Sequence, residues 1–300
     1  MHVIETEKLS KVYGSATAID QLSLTIGENK LIGLIGRNGA GKTTLLKLIA
    51  GYLLPSAGTI KVFGEPPFNN LTVSSNMILT NDRLPVIPTL TIAEIMDSMA
   101  LFYPHWDHGL AKRLCQYFEL NPKFYPNTLS KGQQSTFYTI IGIAARCPLT
   151  MLDEPTTGMD KAVRKDIYRV LLKDYLNHPR TMIISSHLLN ELEEILEEII
   201  LLDKGQKKVH LPVEELSRLV IRLRGKQEAL APVLETKLVI DQQPLGPDSL
   251  TVVVKNELPE DLLRSLRQQQ VEILSVPTDE TCVYLTKSRQ GGIDDVFNDN

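Results

Sequence analysis

The chain has 300 residues, 32 of them basic and 36 acidic, for a formal net charge of −4. That length can bury a sizeable core and suggests about two structural units, while the mild acidic balance gives no electrostatic reason to expect nucleic-acid binding. The N-terminus lacks a basic-then-apolar signal pattern, and no stretch approaches the roughly 18 to 20 apolar residues needed to cross a bilayer.

In chain order, residues 1 to about 80 read as strands, turns and one helix. Val3–Leu9 and Leu22–Ile26 suggest edge strands. Lys30–Ile35 is a short apolar run ending in glycine, as a buried strand feeding a phosphate loop should be. Thr43–Ala50 follows as a helix that Gly51 ends. From about 82 to 147 the pattern turns mostly helical, with Ile92–Phe102 and Gly109–Phe118 the clearest elements. Seven of the chain's 17 aromatics fall between Phe102 and Tyr125. They indicate a separate small core, either ordinary packing of a helical insert or a partner groove. A helix is expected over Gln133–Arg146.

Strand and helix alternate again from 148 to about 210. Leu149–Leu152 and Thr181–Ser185 are buried strands, with a helix over Lys161–Leu176 between them. Leu188–Glu198 reads as a second helix whose glutamates form a solvated face, and Ile199–Val209 as a hairpin turning at Asp203–Gly205. From about 216, strands at Leu219–Leu223, Leu238–Ile240, Leu250–Val254, Val271–Leu274 and Cys282–Leu285, with helices at Gln227–Leu234 and Pro259–Gln269, fit a small α+β domain. The polar tail from Ser288 reads as frayed. The expected domains are thus 1–215, with a helical subdomain at about 82–147, and 216–300. Cys115, Cys147 and Cys282, odd in number and widely spaced, read as reduced core thiols of a cytosolic protein.

Three motifs carry chemistry. Gly36-Arg37-Asn38-Gly39-Ala40-Gly41-Lys42-Thr43-Thr44 has the spacing of a phosphate-binding loop between an apolar strand and a helix. Its glycines let backbone amides fold around phosphate oxygens, Lys42 brings a cation to the β- and γ-phosphates, and Thr43 offers a hydroxyl to Mg²⁺. Leu149–Leu152 brings Asp153 to the carboxyl end of a strand, where open α/β sheets bind ligands. There Asp153 suits the Mg²⁺ shell, and Glu154 suits orienting or deprotonating an attacking water. His187 closes the strand T-M-I-I-S-S-H and either senses a γ-phosphate or is a capping or core histidine. Ser130, in L-S-K-G-Q (Leu129–Gln133), stands at a helix start, either as a plain cap or as part of an anion site.

Over about residues 3 to 210 the chain resembles the ATP-binding subunits of ABC transporters. The phosphate loop, the L-S-K-G-Q signature, the acid pair Asp153–Glu154, the D-loop T-G-M-D ending at Asp160 and the switch histidine His187 occur in order. The resemblance implies an α/β fold: a P-loop NTPase core of ABC type with a helical subdomain, followed here by the small α+β domain. It implies ATP and Mg²⁺ as ligands, Tyr13 stacked on adenine, and two subunits meeting head to tail. The loop of one subunit then faces Ser130, Gly132 and Gln133 of the other. It implies a separate membrane permease, a peripheral place on the inner face of the membrane, and no nucleic acid or metal other than Mg²⁺. A detached permease and the extra C-terminal module look most like the drug and peptide exporter group.

This sequence departs from the family in two places. Lys131 stands where the signature usually has glycine. The stretch Met77–Arg83 lacks the usual glutamine, so Asn81, as a Mg²⁺ or water ligand, or Asp82 takes its place. A soluble ABC-type ATPase of DNA repair or translation is the main rival. Such proteins usually carry a coiled-coil insertion, zinc-binding cysteines or two fused ATPase units, none of which is present. A P-loop kinase or GTPase leaves Leu129–Gln133 and His187 without a role.

Overall fold

The computed structural model describes residues 2–81 and 86–287, so Asp82 and the tail from Ser288 lie outside the described residues. The chain divides into two compact units, Met1–His210 and Leu211–Asn300. The centre of the first is a six-stranded sheet. Its strands are β3 (Leu31–Ile35), β5 (Met77–Thr80), β6 (Leu149–Asp153), β7 (Thr181–Ser186), β8 (Glu198–Asp203) and β9 (Gln206–Pro212), in the order β5-β6-β7-β3-β8-β9. The first five run parallel. Every residue of β3, β5, β6 and β7 is buried, as expected of strands covered on both faces. The β8–β9 turn places Lys204 and Gly205 in the left-handed region.

A second, antiparallel sheet in this unit has the order β2-β1-β4, from β1 (His2–Tyr13), β2 (Ala16–Gly27) and β4 (Ala57–Val62). Val3–Leu9 therefore lies in the central strand, not at an edge. The partner that covers it, β4, has an alternation too short to announce itself. Between the two sheets a core gathers Ile4, Leu9, Ile19, Leu24, Leu46 and Leu202. The helices are α1 (Lys42–Ile49), α2 (Leu71–Ser75), α3 (Ile92–Phe102), α4 (His108–Tyr117), α5 (Lys131–Ala144) and α6 (Lys161–Asn177). Thr91 and Glu94 form a capping box on α3, and α5 is buried from Ser135 to Ala144 against α4, β5 and β6. Burial pushes the thiol of Cys147 up to about 12 and that of Cys115 to about 11.

The second unit contains α7 (Val213–Leu216), β10 (Val220–Lys226), α8 (Gln227–Leu234), β11 (Val239–Pro244), β12 (Ser249–Lys255), α9 (Glu260–Gln268), β13 (Glu272–Ser275) and α10 (Thr278–Thr286). Its antiparallel sheet has the order β11-β12-β10-β13. That is the β-α-β-β-α-β topology of ferredoxin-like domains. Leu223, Leu230, Val252, Val254 and Leu266 fill one side of the sheet, and α10 lays Tyr284 and Leu285 against Val220 and Val253 on the other.

Two expected elements differ. Cys282–Leu285 is helical, part of α10, because Pro277 at the N-cap with Asp279 and Glu280 in the first turn starts a helix despite the β-branched composition. Leu188–Glu198 is not one helix but two 3₁₀ turns, Leu189–Glu191 and Glu193–Ile195. The Glu197 amide donates to Leu31 O at 2.9 Å, and its carboxylate accepts from the Leu31 amide at 3.2 Å and from the Tyr175 hydroxyl at 3.1 Å. The chain is thereby drawn out toward β3 before a helix can propagate. These glutamates are not all a solvated face: Glu191 pairs with Arg164 at 3.0 Å, and Glu198 with Lys30 at 3.0 Å and His210 at 2.9 Å.

Candidate active site

The carboxyl ends of β3, β6 and β7 converge on one constellation. The turn after β3 enters α1 through Gly41, whose φ of 105° lies in the left-handed region; a Cβ there would stand 2.5 Å from Ala18 O. Only glycine satisfies both conditions. The loop leads into Lys42, which is 6% exposed and donates to Gly36 O at 2.7 Å. Lys42 Nζ also lies 3.1 Å from Glu154 Oε1 in an ion pair. Glu154 Oε2 is 2.9 Å from His187 Nδ1. A single carboxylate thus bridges the loop lysine and the histidine that follows β7. In the first turn of α1, Thr43 is exposed and Thr44 half-buried.

Glu154 has φ 49°, rare for a residue with a Cβ. Its surroundings impose it: the Glu154 amide donates to Ser185 Oγ at 2.9 Å, and its carbonyl accepts from the Thr157 hydroxyl at 2.9 Å. Asp153 is buried, and its Oδ1 accepts from Ser185 Oγ at 2.5 Å. Behind the loop, Thr139 donates to Pro155 O at 3.1 Å. The hydroxyls of Thr156 and Tyr168 are hydrogen-bonded at 3.0 Å, and burial pushes the Tyr168 phenol up to about 12. Asn81 follows β5 and lines one small cavity together with Glu154 and Thr139.

The remaining motif residues form a second group. Ser130 caps α5 in a reciprocal box: its Oγ accepts from the Gln133 amide at 3.3 Å, and Gln133 Oε1 accepts from the Ser130 amide at 3.1 Å. A Cβ on Gly132 would stand 2.6 Å from Gly158 O, so the signature lies directly on the D-loop of its own chain. The Lys131 stem runs along Gly158, which is how a side chain is accommodated where glycine is usual. Asp160 Oδ1 accepts from the amides of Ala162 and Val163, both at 2.9 Å, and caps α6. Ser130, Gly132, Gln133, Gly158 and Asp160 line one groove. Tyr13 ends β1, 47% exposed, with Lys11 Nζ 5.2 Å from its ring centroid.

Ser185 lies in T-M-I-I-S-S-H without a role in any of the motifs. The signal was a serine pair inside an otherwise apolar strand, where a buried hydroxyl needs a partner. Among the described residues no group of three or more His, Cys, Asp or Glu is placed to hold a metal ion, and no helix is long and apolar enough to cross a membrane.

The chain is similar to known proteins in sequence and in fold. A family model described as ABC transporter matches residues 19–157. The bacitracin transport ATP-binding protein BcrA of Enterococcus faecalis is 30% identical over 226 residues, covering 72% of this chain and 71% of that protein. The Nod factor export ATP-binding protein I of Ralstonia nicotianae is 28% identical over 292 residues, covering 89% of this chain and 85% of that protein. A solved dimeric structure of a bacterial ABC transporter cassette superposes with a TM-score of 0.62 at 22% identity, over 70% of this chain and 98% of that one.

Proposed function

The chain belongs to the ABC transporter family of ATP-binding subunits, and from that premise we propose that it hydrolyses ATP with Mg²⁺ to power export through a separate membrane permease. The observation that carries the reading is the Glu154 carboxylate, held between Lys42 at 3.1 Å and His187 at 2.9 Å at the mouth of a glycine-rich loop. A relative named for Nod factor export supports the export direction.

In this mechanism the amides of Gly39 to Thr44 and the Lys42 ammonium hold the phosphates, with the α1 dipole behind them. Glu154 is the present counter-ion of Lys42. A phosphate seated in the loop replaces it, which frees Glu154 Oε1 to take a proton from, or orient, the attacking water. Glu154 Oε1 is buried and its partner in the chain as it stands is the Lys42 ammonium at 3.1 Å, so it takes up the water once phosphate has drawn that ammonium away. His187 then turns from Glu154 to the γ-phosphate. The Thr43 hydroxyl and the Asp153 carboxylate are hard oxygen donors, suited to a cation that keeps its remaining sites for phosphate and water. When bound there, Mg²⁺ neutralises charge developing on the β- and γ-phosphates. Asn81, lining a cavity with Glu154, is placed to hold the water in place of the family's glutamine. Tyr13 offers its exposed ring to adenine.

The second group of residues serves a neighbouring subunit. A hydroxyl has one donor and two acceptor positions. The cap uses one acceptor position on Ser130, which leaves its proton for a phosphate oxygen of the facing chain. Gly132, Gln133 and Asp160 complete that face, and the partner is a second copy or a related chain. The permease docks at the apolar groove lined by Leu71, Thr72, Ser75, Met99, Phe102 and Tyr103, in which Leu71 and Phe102 stand exposed. The protein therefore works at the inner face of the membrane.

Glu154→Gln tests the chemistry: turnover should fall about 10²- to 10⁴-fold, because shape is kept and basicity lost, with ATP affinity retained. Near wild-type turnover removes Glu154 from the mechanism. Isolation from the native membrane in mild detergent should bring a permease with it.

A further inference from the structure

We propose that Ser185 is the positioning residue for both acids of the site: its single hydroxyl fixes which oxygen of Asp153 faces the metal and holds Glu154 in its left-handed turn. The inference rests on the reading of Asp153 and Glu154 given above. Ser185 is fully buried and stands opposite Asp153 in the parallel register of β6 and β7. A backbone amide can only donate, so at 2.9 Å from Glu154 N the Ser185 oxygen must be the acceptor. Its one proton is therefore left for Asp153 Oδ1, 2.5 Å away. The direction of the hydroxyl is determined and not a choice of rotamer.

Two consequences follow from that direction. Asp153 Oδ1 carries that hydrogen bond, which restrains rotation of the carboxylate and leaves Oδ2 with the greater free acceptor capacity for a cation. A hydrogen bond from a hydroxyl also lowers the freedom of a metal-ligating carboxylate, the role that outer partners of metal ligands commonly play. At the same time the Glu154 amide, whose residue sits at φ 49°, donates to the same oxygen at 2.9 Å and, at 3.3 Å, to the Ser185 carbonyl, so the hydroxyl is the shorter of its two contacts. One serine thus sets the relative placement of the metal ligand and the base. A side chain without a hydroxyl at 185 leaves Asp153 free to turn and removes one of the contacts that hold Glu154 in a sparsely populated backbone region.

The test uses the full chain and compares Ser185→Ala, Ser185→Thr and Asp153→Asn with the native protein. ATP affinity is measured by titration in EDTA and again in Mg²⁺, alongside turnover and the melting temperature. In Ser185→Ala the gain in ATP affinity conferred by Mg²⁺ should shrink about 10-fold, as for other outer partners of metal ligands, with the EDTA affinity unchanged. Turnover should fall about 10- to 100-fold with it, and Ser185→Thr should restore both. A folded Ser185→Ala that keeps the full Mg²⁺ gain and turnover overturns the assignment. So does an unfolded one, or one that loses EDTA affinity equally, since either marks Ser185 as merely structural. If Asp153→Asn also keeps the Mg²⁺ gain, the metal reading of Asp153 itself fails. If Asp153→Asn loses the gain while Ser185→Ala keeps it, only the inference about Ser185 falls.

Discussion

The parallel sheet of the first unit carries a buried cation facing a carboxylate at each end, and the two pairs differ in how far their bonding capacity is used. At the amino end Arg180, 5% exposed, lies 2.7 Å from Asp174. Its guanidinium also donates to Thr150 Oγ1 at 3.2 Å, His178 O at 3.0 Å and Ile143 O at 3.3 Å. Arg146 adds a second cation to the same carboxylate and reaches Asp107 at 3.0 Å. At the carboxyl end Lys42 is as deeply buried, yet it has one carbonyl and one carboxylate, and that carboxylate is shared with an exposed histidine. Burial of a charge pair therefore does not distinguish a site from a clamp. What distinguishes them is how far the chain itself uses the donors of the cation: Arg180 commits its guanidinium to four groups of the fold, Lys42 its ammonium to two.

The largest expected effect breaks the comparison at the clamp. Arg180→Ala should cost about 3 kcal/mol of stability, because it leaves Asp174 a buried charge short of its main partner. ATP affinity per folded molecule should not change. Denaturant unfolding beside nucleotide titration checks both, and a loss of affinity without a loss of stability would reverse the roles of the two ends. Next in size is Lys42→Ala. It should weaken ATP binding about 100-fold by removing a charge-assisted phosphate contact, with little loss of stability, since Glu154 keeps His187 and partial solvent exposure. A third change sharpens the comparison within the carboxyl-end machinery. Gly132→Ala drives a Cβ against Gly158 O and should cost about 1 to 3 kcal/mol of local packing. It should weaken ATP-driven association of two chains more than ATP binding by one, which light scattering on a Glu154→Gln background reads directly.

The contrast also accounts for what could be read from the sequence. The carboxyl end was legible because phosphate chemistry demands residue types at fixed short spacings: Gly36 to Thr44, Asp153 with Glu154, and Leu129 to Gln133. The amino-end clamp was not, since Arg146, Asp174 and Arg180 follow no spacing rule and meet only through the fold. The same division runs through the elements. Helices with a cap and a long periodic face, such as α3 and α6, stand close to where periodicity puts them. Leu188–Glu198 has apolar residues at helical spacing too, but the hydrogen bond from the Glu197 amide to β3 and the one its carboxylate accepts from Tyr175 draw it out, and a segment of that length has little helical stability of its own. Ser185 escaped notice for the same reason as the clamp: its partners, 31 and 32 residues away, are neighbours only in the parallel register.

The smallest expected effect concerns a third ion pair, which lies between the two extremes in exposure. Glu198 in β8 binds Lys30 at 3.0 Å and His210 at 2.9 Å. Burial raises the Glu198 carboxyl, but hydrogen bonds from Lys30 and His210 outweigh it and hold the group below the ordinary carboxylate range. Lys30 is correspondingly raised by its hydrogen bond to Glu198. With its folded value depressed, Glu198 contributes stability that is fully present above the ordinary carboxylate range and is lost as the pH falls through the folded value. Because Lys30 is 41% exposed, solvent screening limits the contribution to less than about 1 kcal/mol. Glu198→Gln should therefore lower the melting temperature by only a few degrees at neutral pH, and the gap from the native protein should close as the solution is acidified. Arg180→Ala should show a far larger loss, and its clamp should be insensitive to salt, whereas the Glu198 contribution should shrink in high salt. A Glu198→Gln loss as large and as salt-resistant as that of Arg180→Ala would mean that exposure does not grade these pairs, and the distinction between clamp and site would have to rest on bonding capacity alone.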